Sequence, residues 1–128
     1  LEKADTGILH YLMRNPIRNT TIEYNDNRIS LFVAQKGKCS VTKEILTLDN
    51  IHCHHKIPKK LDGLDNYSNL VIVSKNIHRL IHAVKTETIQ RLLEVATLNK
   101  SQLDKINKLR ILAGNSVIEV LENTLVVN

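Results

Sequence analysis

Aromatic side chains are nearly missing from this 128-residue chain, which has three tyrosines (Tyr11, Tyr24, Tyr67), one phenylalanine (Phe32) and no tryptophan. Its core must therefore be mostly leucine, isoleucine and valine, and recognition of single-stranded nucleic acid by base stacking is not expected. Cysteine is equally scarce. Cys39 and Cys53 stand in no CxxC arrangement, which excludes a disulfide framework and fits a reducing cytoplasm. No apolar run approaches the roughly 18 residues of a membrane span, and no secretory leader pattern is present, so no membrane partner is expected. Met13 is the only methionine and residue 1 is leucine, which predicts a piece of a longer protein or a processed one.

What the chain does contain is ordinary for one globular domain. Its length is enough to bury about two-thirds of the unfolded surface, and 42% apolar content argues against disorder. Lysine and arginine number 18 against 13 aspartates and glutamates, a formal charge of +5. That balance favours a polyanionic partner.

The histidines are the unusual feature. His54 and His55 lie together in IHCHHKIPKK, and His78 and His82 follow in SKNIHRLIHA. The second pair has the i, i+4 spacing that puts two imidazoles on one helix face. Such a pair, with one residue from a nearby strand, makes a three-nitrogen metal cage with open positions left over. The fourth histidine is then available as a base beside the metal, the arrangement of a metal-dependent hydrolase.

The order of elements follows from periodicity and punctuation. Ile8, Leu9 and Leu12 predict a helix over 5–15 that stops before Pro16. A second helix is expected from a cap at Asn25 or Asp26 to Gly37, with Ile29, Phe32 and Val33 on one face. Residues 38–49 read as a short β excursion turning at Lys43 and Glu44. The strand IHCHHKI, broken at Pro58, precedes a polar loop whose Asp62 and Asp65 read as turn formers. NLVIVS is a compact β-branched strand. From Lys75 to Val84, Ile77, Leu80, Ile81 and Val84 recur at helical spacing. Two more helices are expected, one over 87–98 with Ile89, Leu92, Leu93 and Ala96 on a face, and one from a Ser101/Asp104 capping box to Gly114. The apolar tail SVIEVLENTLVVN has no clear assignment. The middle of the chain is thus strand, loop, strand, helix, a ββα unit.

The residues HHKIP at 54–58, Asn69-Leu70 at the next strand, and His78 with His82, nine residues after Asn69, together resemble the HNH nuclease motif. The resemblance implies an α+β fold, a small ββα-metal (HNH, His-Me finger) core with additional N- and C-terminal helices. It divides the chain into a helical lead-in over 1–37, possibly ending a DNA-binding region, a nuclease core over 38–84 and a helical extension over 85–128. It also implies roles. His55 matches the general base that takes a proton from the attacking water, and Asn69 matches the asparagine that fastens the loop carrying that base. His54, His78 and His82 match the metal ligands. Lys56, Lys59, Lys60, Lys75 and Arg79 flank the site and are expected to hold backbone phosphates. One divalent ion is implied, since no carboxylate is placed to bridge two: magnesium or manganese in function, zinc or nickel in purified protein.

A narrower resemblance covers most of the chain. NRISLFVAQKGKCSVT, HCHHKIPKKLDGLDNYSNLVIVSKNIHRLIHA and ETIQRLLEV with KINKLRILAGNSVI are similar to the C-terminal region of bacterial group II intron-encoded reverse transcriptase/maturases. In that family an HNH domain nicks one strand of the target DNA, and the freed 3′ hydroxyl primes reverse transcription. The partners implied are double-stranded DNA and, through the full-length protein, the intron RNA, in the cytoplasm and associated with the nucleoid. Two alternatives stay open: a free-standing homing, restriction or toxin nuclease, and a non-catalytic HNH module that only binds nucleic acid. One departure stands out. Where many HNH domains carry a structural zinc on two CxxC pairs, this chain reads Cys39-Ser-Val-Thr42 and then Ser74 and Ile77. No thiolate zinc site can be built from those residues.

Overall fold

The computed structural model describes residues 3–121 and 124–127. Among the described residues the protein is α+β, with five α-helices, a two-stranded antiparallel sheet and a separate C-terminal hairpin. It forms two compact units, Leu1–Ser74 and Lys75–Asn128.

In the first unit, α1 (Thr6–Arg14) begins where the Asp5 carboxylate accepts the Ile8 N–H at 2.9 Å, and it ends ahead of Pro16. Helix α2 (Ile22–Ala34) starts earlier than Asn25 or Asp26 because Thr21 is the cap, its Oγ1 accepting the Tyr24 N–H at 3.0 Å. Asn25 instead ties down the preceding turn, accepting from Ile17 N at 2.8 Å and donating to Thr20 Oγ1 at 2.7 Å. The buried face also differs from the expected one. Tyr24, Arg28, Leu31 and Phe32 point inward, while Val33, expected inside, is exposed. Lys36 and Gly37 take left-handed backbone, φ 58° and 71°, and Gly37 N–H returns to Phe32 O at 2.9 Å, closing the helix.

The expected β excursion over 38–49 is mostly turn. A single bridge joins Lys38 to Ile45, and Cys39, Val41 and Leu46 are buried. The sheet pairs β1 (His52–His55) with β2 (Leu70–Val73), His54 opposite Val71 and His55 opposite Leu70. Every residue of β2 is buried. Helix α2 packs on β2. There the Gln35 side chain donates to Ile72 O at 2.9 Å and accepts from Ile72 N at 3.0 Å, doing for the strand edge what a further strand would do.

The second unit opens with α3 (Lys75–His82), anchored by buried Ile77, Leu80 and Ile81. The helix ends before Val84, which falls in the link to the next helix and is exposed rather than inward. Helix α4 (Thr86–Ala96) buries Ile89 and Leu92. Helix α5 (Lys100–Leu112) starts at a capping box, but one made by Asn99 and Gln102 rather than Ser101 and Asp104. Asn99 Oδ1 accepts from Gln102 N at 2.8 Å, and Gln102 Oε1 accepts from Asn99 N at 3.0 Å. Helices α4 and α5 both pack on α3. The tail forms a hairpin, β3 (Ile118–Leu121) with β4 (Thr124–Val127). No helix among the described residues is long and apolar enough to cross a membrane.

Candidate metal centre

Three histidines converge. One ring nitrogen each from His54, His78 and His82 lie within 4.8 Å of one another, and this group is able to hold a metal ion. Local structure explains each contribution. His54 is 2% exposed, in a strand held by the antiparallel register to β2. His78 and His82 are one turn apart on α3, with ring centroids 4.7 Å apart and planes crossed at 80°. The buried stripe of Ile77, Leu80 and Ile81 fixes which way that helix faces. The donor set is three imidazoles, graded from buried His54 through half-buried His78 to exposed His82.

His55 has different company. The His55 ring stacks on Tyr24 with centroids 5.1 Å apart and planes 14° from parallel. Its Nε2 lies 2.7 Å from Asp65 Oδ1. The other carboxylate oxygen, Oδ2, accepts from Thr21 Oγ1 at 2.6 Å and from Lys59 Nζ at 3.0 Å. Asn27 Nδ2 donates to the Asp65 carbonyl at 2.8 Å. The hydrogen bonds from His55 and Thr21, with Lys59 adding to them, hold the Asp65 carboxyl down at about 2. Tyr24, which supports the ring, donates its hydroxyl to Cys53 O at 2.7 Å.

Asn69 fastens the loop between the strands. Its Oδ1 accepts from Ile57 N at 2.9 Å, and its Nδ2 donates to Ile57 O at 3.1 Å and to Leu64 O at 2.8 Å. Lys56 N–H adds a 2.7 Å bond to Asn69 O. Gly63 closes the same loop, its N–H on Pro58 O at 2.9 Å. The backbone passes so close there that a Cβ on Gly63 would sit 1.7 Å from Ile57 O. Asp62, φ 66°, supplies the left-handed turn.

The basic residues named from the sequence are distributed unevenly. Lys59 is paired with Asp65, Lys56 is half-buried, and Lys60, Lys75 and Arg79 are exposed. Cys39 is buried and accepts from Ser74 N at 3.4 Å through its sulfur. Burial pushes the Cys53 thiol up to about 11, which makes it a poor nucleophile. Neither cysteine belongs to the potential ligand group.

Sequence reasoning missed Asp65, Thr21 and Tyr24. Asp65 read as a turn former, yet its carboxylate collects three side chains and is almost fully buried. An acid ten residues after a motif histidine was the only hint. Thr21 lies 44 residues from Asp65, a separation at which no local pattern speaks. Comparison of the chain with protein-family models, with curated proteins and with solved structures gives no match.

Proposed function

We propose that this protein is a metal-dependent endonuclease of the HNH type that nicks double-stranded DNA. One observation carries the reading: adjacent strand residues, His54 and His55, have separate environments, one among potential metal ligands and the other on a carboxylate and an aromatic ring. A metal cage next in sequence to an independently held imidazole is the equipment of hydrolysis. A histidine kept only for packing needs neither. His54, His78 and His82 would hold a divalent ion, which would supply charge stabilisation to the phosphodiester. His55 takes the proton of the attacking water, whose oxygen bonds to phosphorus as the bond to the 3′ oxygen breaks. The departing 3′ oxygen takes a proton from solvent, and the products are a 3′ hydroxyl and a 5′ phosphate. Asn69 keeps the loop after His55 closed. Lys60, Lys75 and Arg79 are exposed cations suited to backbone phosphates.

The quoted intron-protein segments extend the proposal to a biological setting, the C-terminal endonuclease region of a group II intron reverse transcriptase/maturase. The metal's identity and the association with intron RNA belong to the same proposal.

The test is a plasmid-nicking assay with and without added magnesium or manganese, followed by end-labelling. Nicked circles bearing 3′ hydroxyls are expected, with weaker activity as salt rises. His55→Ala should cut the rate by about two to four powers of ten while leaving metal content and DNA affinity nearly unchanged. Full activity in excess chelator, 3′-phosphate ends, or wild-type nicking by His55→Ala would overturn the proposal. DNA binding without any cleavage would favour the non-catalytic module.

A further inference from the structure

We propose that Asp65 is a positioning residue that holds His55 as the Nε2–H tautomer and so assigns Nδ1 as the proton-accepting atom. The tautomer stands on geometry alone, and what Nδ1 then does rests on the nuclease reading above.

The argument begins with the carboxylate. An ionised carboxylate only accepts hydrogen bonds. Asp65 already takes a hydroxyl and an ammonium on Oδ2, and it faces His55 Nε2 across 2.7 Å with Oδ1. Two donors on one oxygen leave no place for an acid proton there. The short contact on the other oxygen requires that Nε2 carry the hydrogen. In a neutral imidazole the lone pair then sits on Nδ1. Among the described residues no hydrogen bond is made to Nδ1, and the ring is 21% exposed, so that atom is open to a water molecule.

The carboxylate is itself held. Thr21 caps α2 and donates to Asp65 with the same hydroxyl that accepts the Tyr24 N–H. Asn27, on the same helix, fixes the Asp65 backbone. Tyr24, again on α2, fixes the plane of the ring by stacking. One helix thus sets the ring's tilt through Tyr24 and its rotation through Asp65. Rotating the ring by half a turn would replace the Nε2–H donor with a C–H and forfeit the charge-assisted bond. Asp62, three residues away on the same loop, is exposed and serves only the turn.

The experiment uses the full chain and two readouts. Long-range proton–nitrogen NMR of nitrogen-labelled protein in alkaline buffer, with the His55 signal identified by its loss in His55→Gln, should show wild-type His55 protonated at Nε2. In Asp65→Asn the side-chain amide is able to donate to Nε2, so protonation should move to Nδ1. Nicking by Asp65→Asn should then fall about 10- to 1,000-fold in kcat, with KM for DNA within about threefold, as a wrong tautomer disables a base without displacing substrate. Asp65→Glu, which keeps the acceptor, should recover part of the rate. Protonation at Nδ1 in the wild type overturns the proposal, and so does a wild-type kcat in Asp65→Asn. The NMR of the unmutated protein needs neither a folded variant nor any cleavage. If the chain nicks no DNA, the nuclease reading falls and the tautomer assignment is still decided.

Discussion

The two units solve the same problem with the same residue and differ in everything around it. In Leu1–Ser74, Arg28 on α2 is buried and donates through Nη2 to Leu12 O and Asn15 O, both at 3.0 Å, at the C-terminal end of α1. In Lys75–Asn128, Arg110 on α5 is buried and donates to Leu80 O at 2.7 Å, Ala83 O at 2.8 Å and Ser116 O at 2.7 Å, the first two at the end of α3. The last carbonyls of a helix lack partners within it and carry the negative end of its dipole, so a guanidinium answers both needs. Burial lowers the pKa of each arginine below its ordinary value. Among the described residues of the second unit, Arg110 is the buried charged group. The first adds a second polar centre at Asp65, tied to α2 and to the loop between its strands. The difference separates an arginine used for architecture from a carboxylate that holds a titratable ring.

The comparison breaks most readily at the arginines. Arg110→Met should lower unfolding stability by about 3–4 kcal/mol and Arg28→Met by about 2–3 kcal/mol, because each strands buried carbonyls and Arg110 serves more of them. Denaturant unfolding of both variants checks the order. An Arg28→Met effect larger than that of Arg110→Met would mean that the two are not equivalent clamps.

A smaller loss, about 1–3 kcal/mol, is expected for Asn69→Ala, which leaves an amide and two carbonyls of the loop without their partner. Hydrogen exchange sharpens the point: Ile57 N–H should lose protection while the amides of α4 and α5 stay as in the wild type. Uniform loss throughout the chain would show that Asn69 supports the whole fold rather than one loop.

The smallest effect is a pH dependence confined to the first unit. The Asp65 carboxyl is depressed to about 2 from an ordinary value near 3.8. A depressed acid stabilises the fold fully above its unfolded value, and that contribution is lost as pH falls through the folded one. Wild-type stability should therefore decline between about pH 4 and pH 2, and Asp65→Asn should show a shallower decline there. Equal slopes for the two proteins would count against the carboxylate's three-way pairing.

Apolar periodicity made much of this fold legible. Leu12, Phe32, Ile77, Leu80, Ile81, Ile89 and Leu92 are buried where their spacing placed them, because a helix with one apolar stripe has one way to face a core. The histidine group was legible too, since i, i+4 on a helix brings two rings together before any tertiary contact forms. Helix starts were less so. Thr21 and Asn99 are caps, whereas Asn25, Ser101 and Asp104 look equally suitable, and the choice depends on which residue reaches extended backbone as the chain enters the helix. Arg28 and Arg110 could not be read at all, and Asp65 only as an acid ten residues after His55. A polar side chain in a buried site takes much of its meaning from groups as far as 44 residues away, which only the folded chain brings to it.

The backbone crossing at Gly63 has a consequence for how this protein can vary. Within one short loop it separates letters that cannot change from letters that can. Any side chain at 63 collides with Ile57 O, and Asn69 reads the backbone at 57 and 64 with fixed reach, so both spelling and length are locked between those points. Lys60 and Leu61 lie inside that lock, exposed, with side chains that make no hydrogen bond among the described residues. They form a two-letter window in which a lineage, or a library, can rewrite the loop's surface without disturbing its backbone, and in which a change at Lys60 would alter the proposed hold on phosphate.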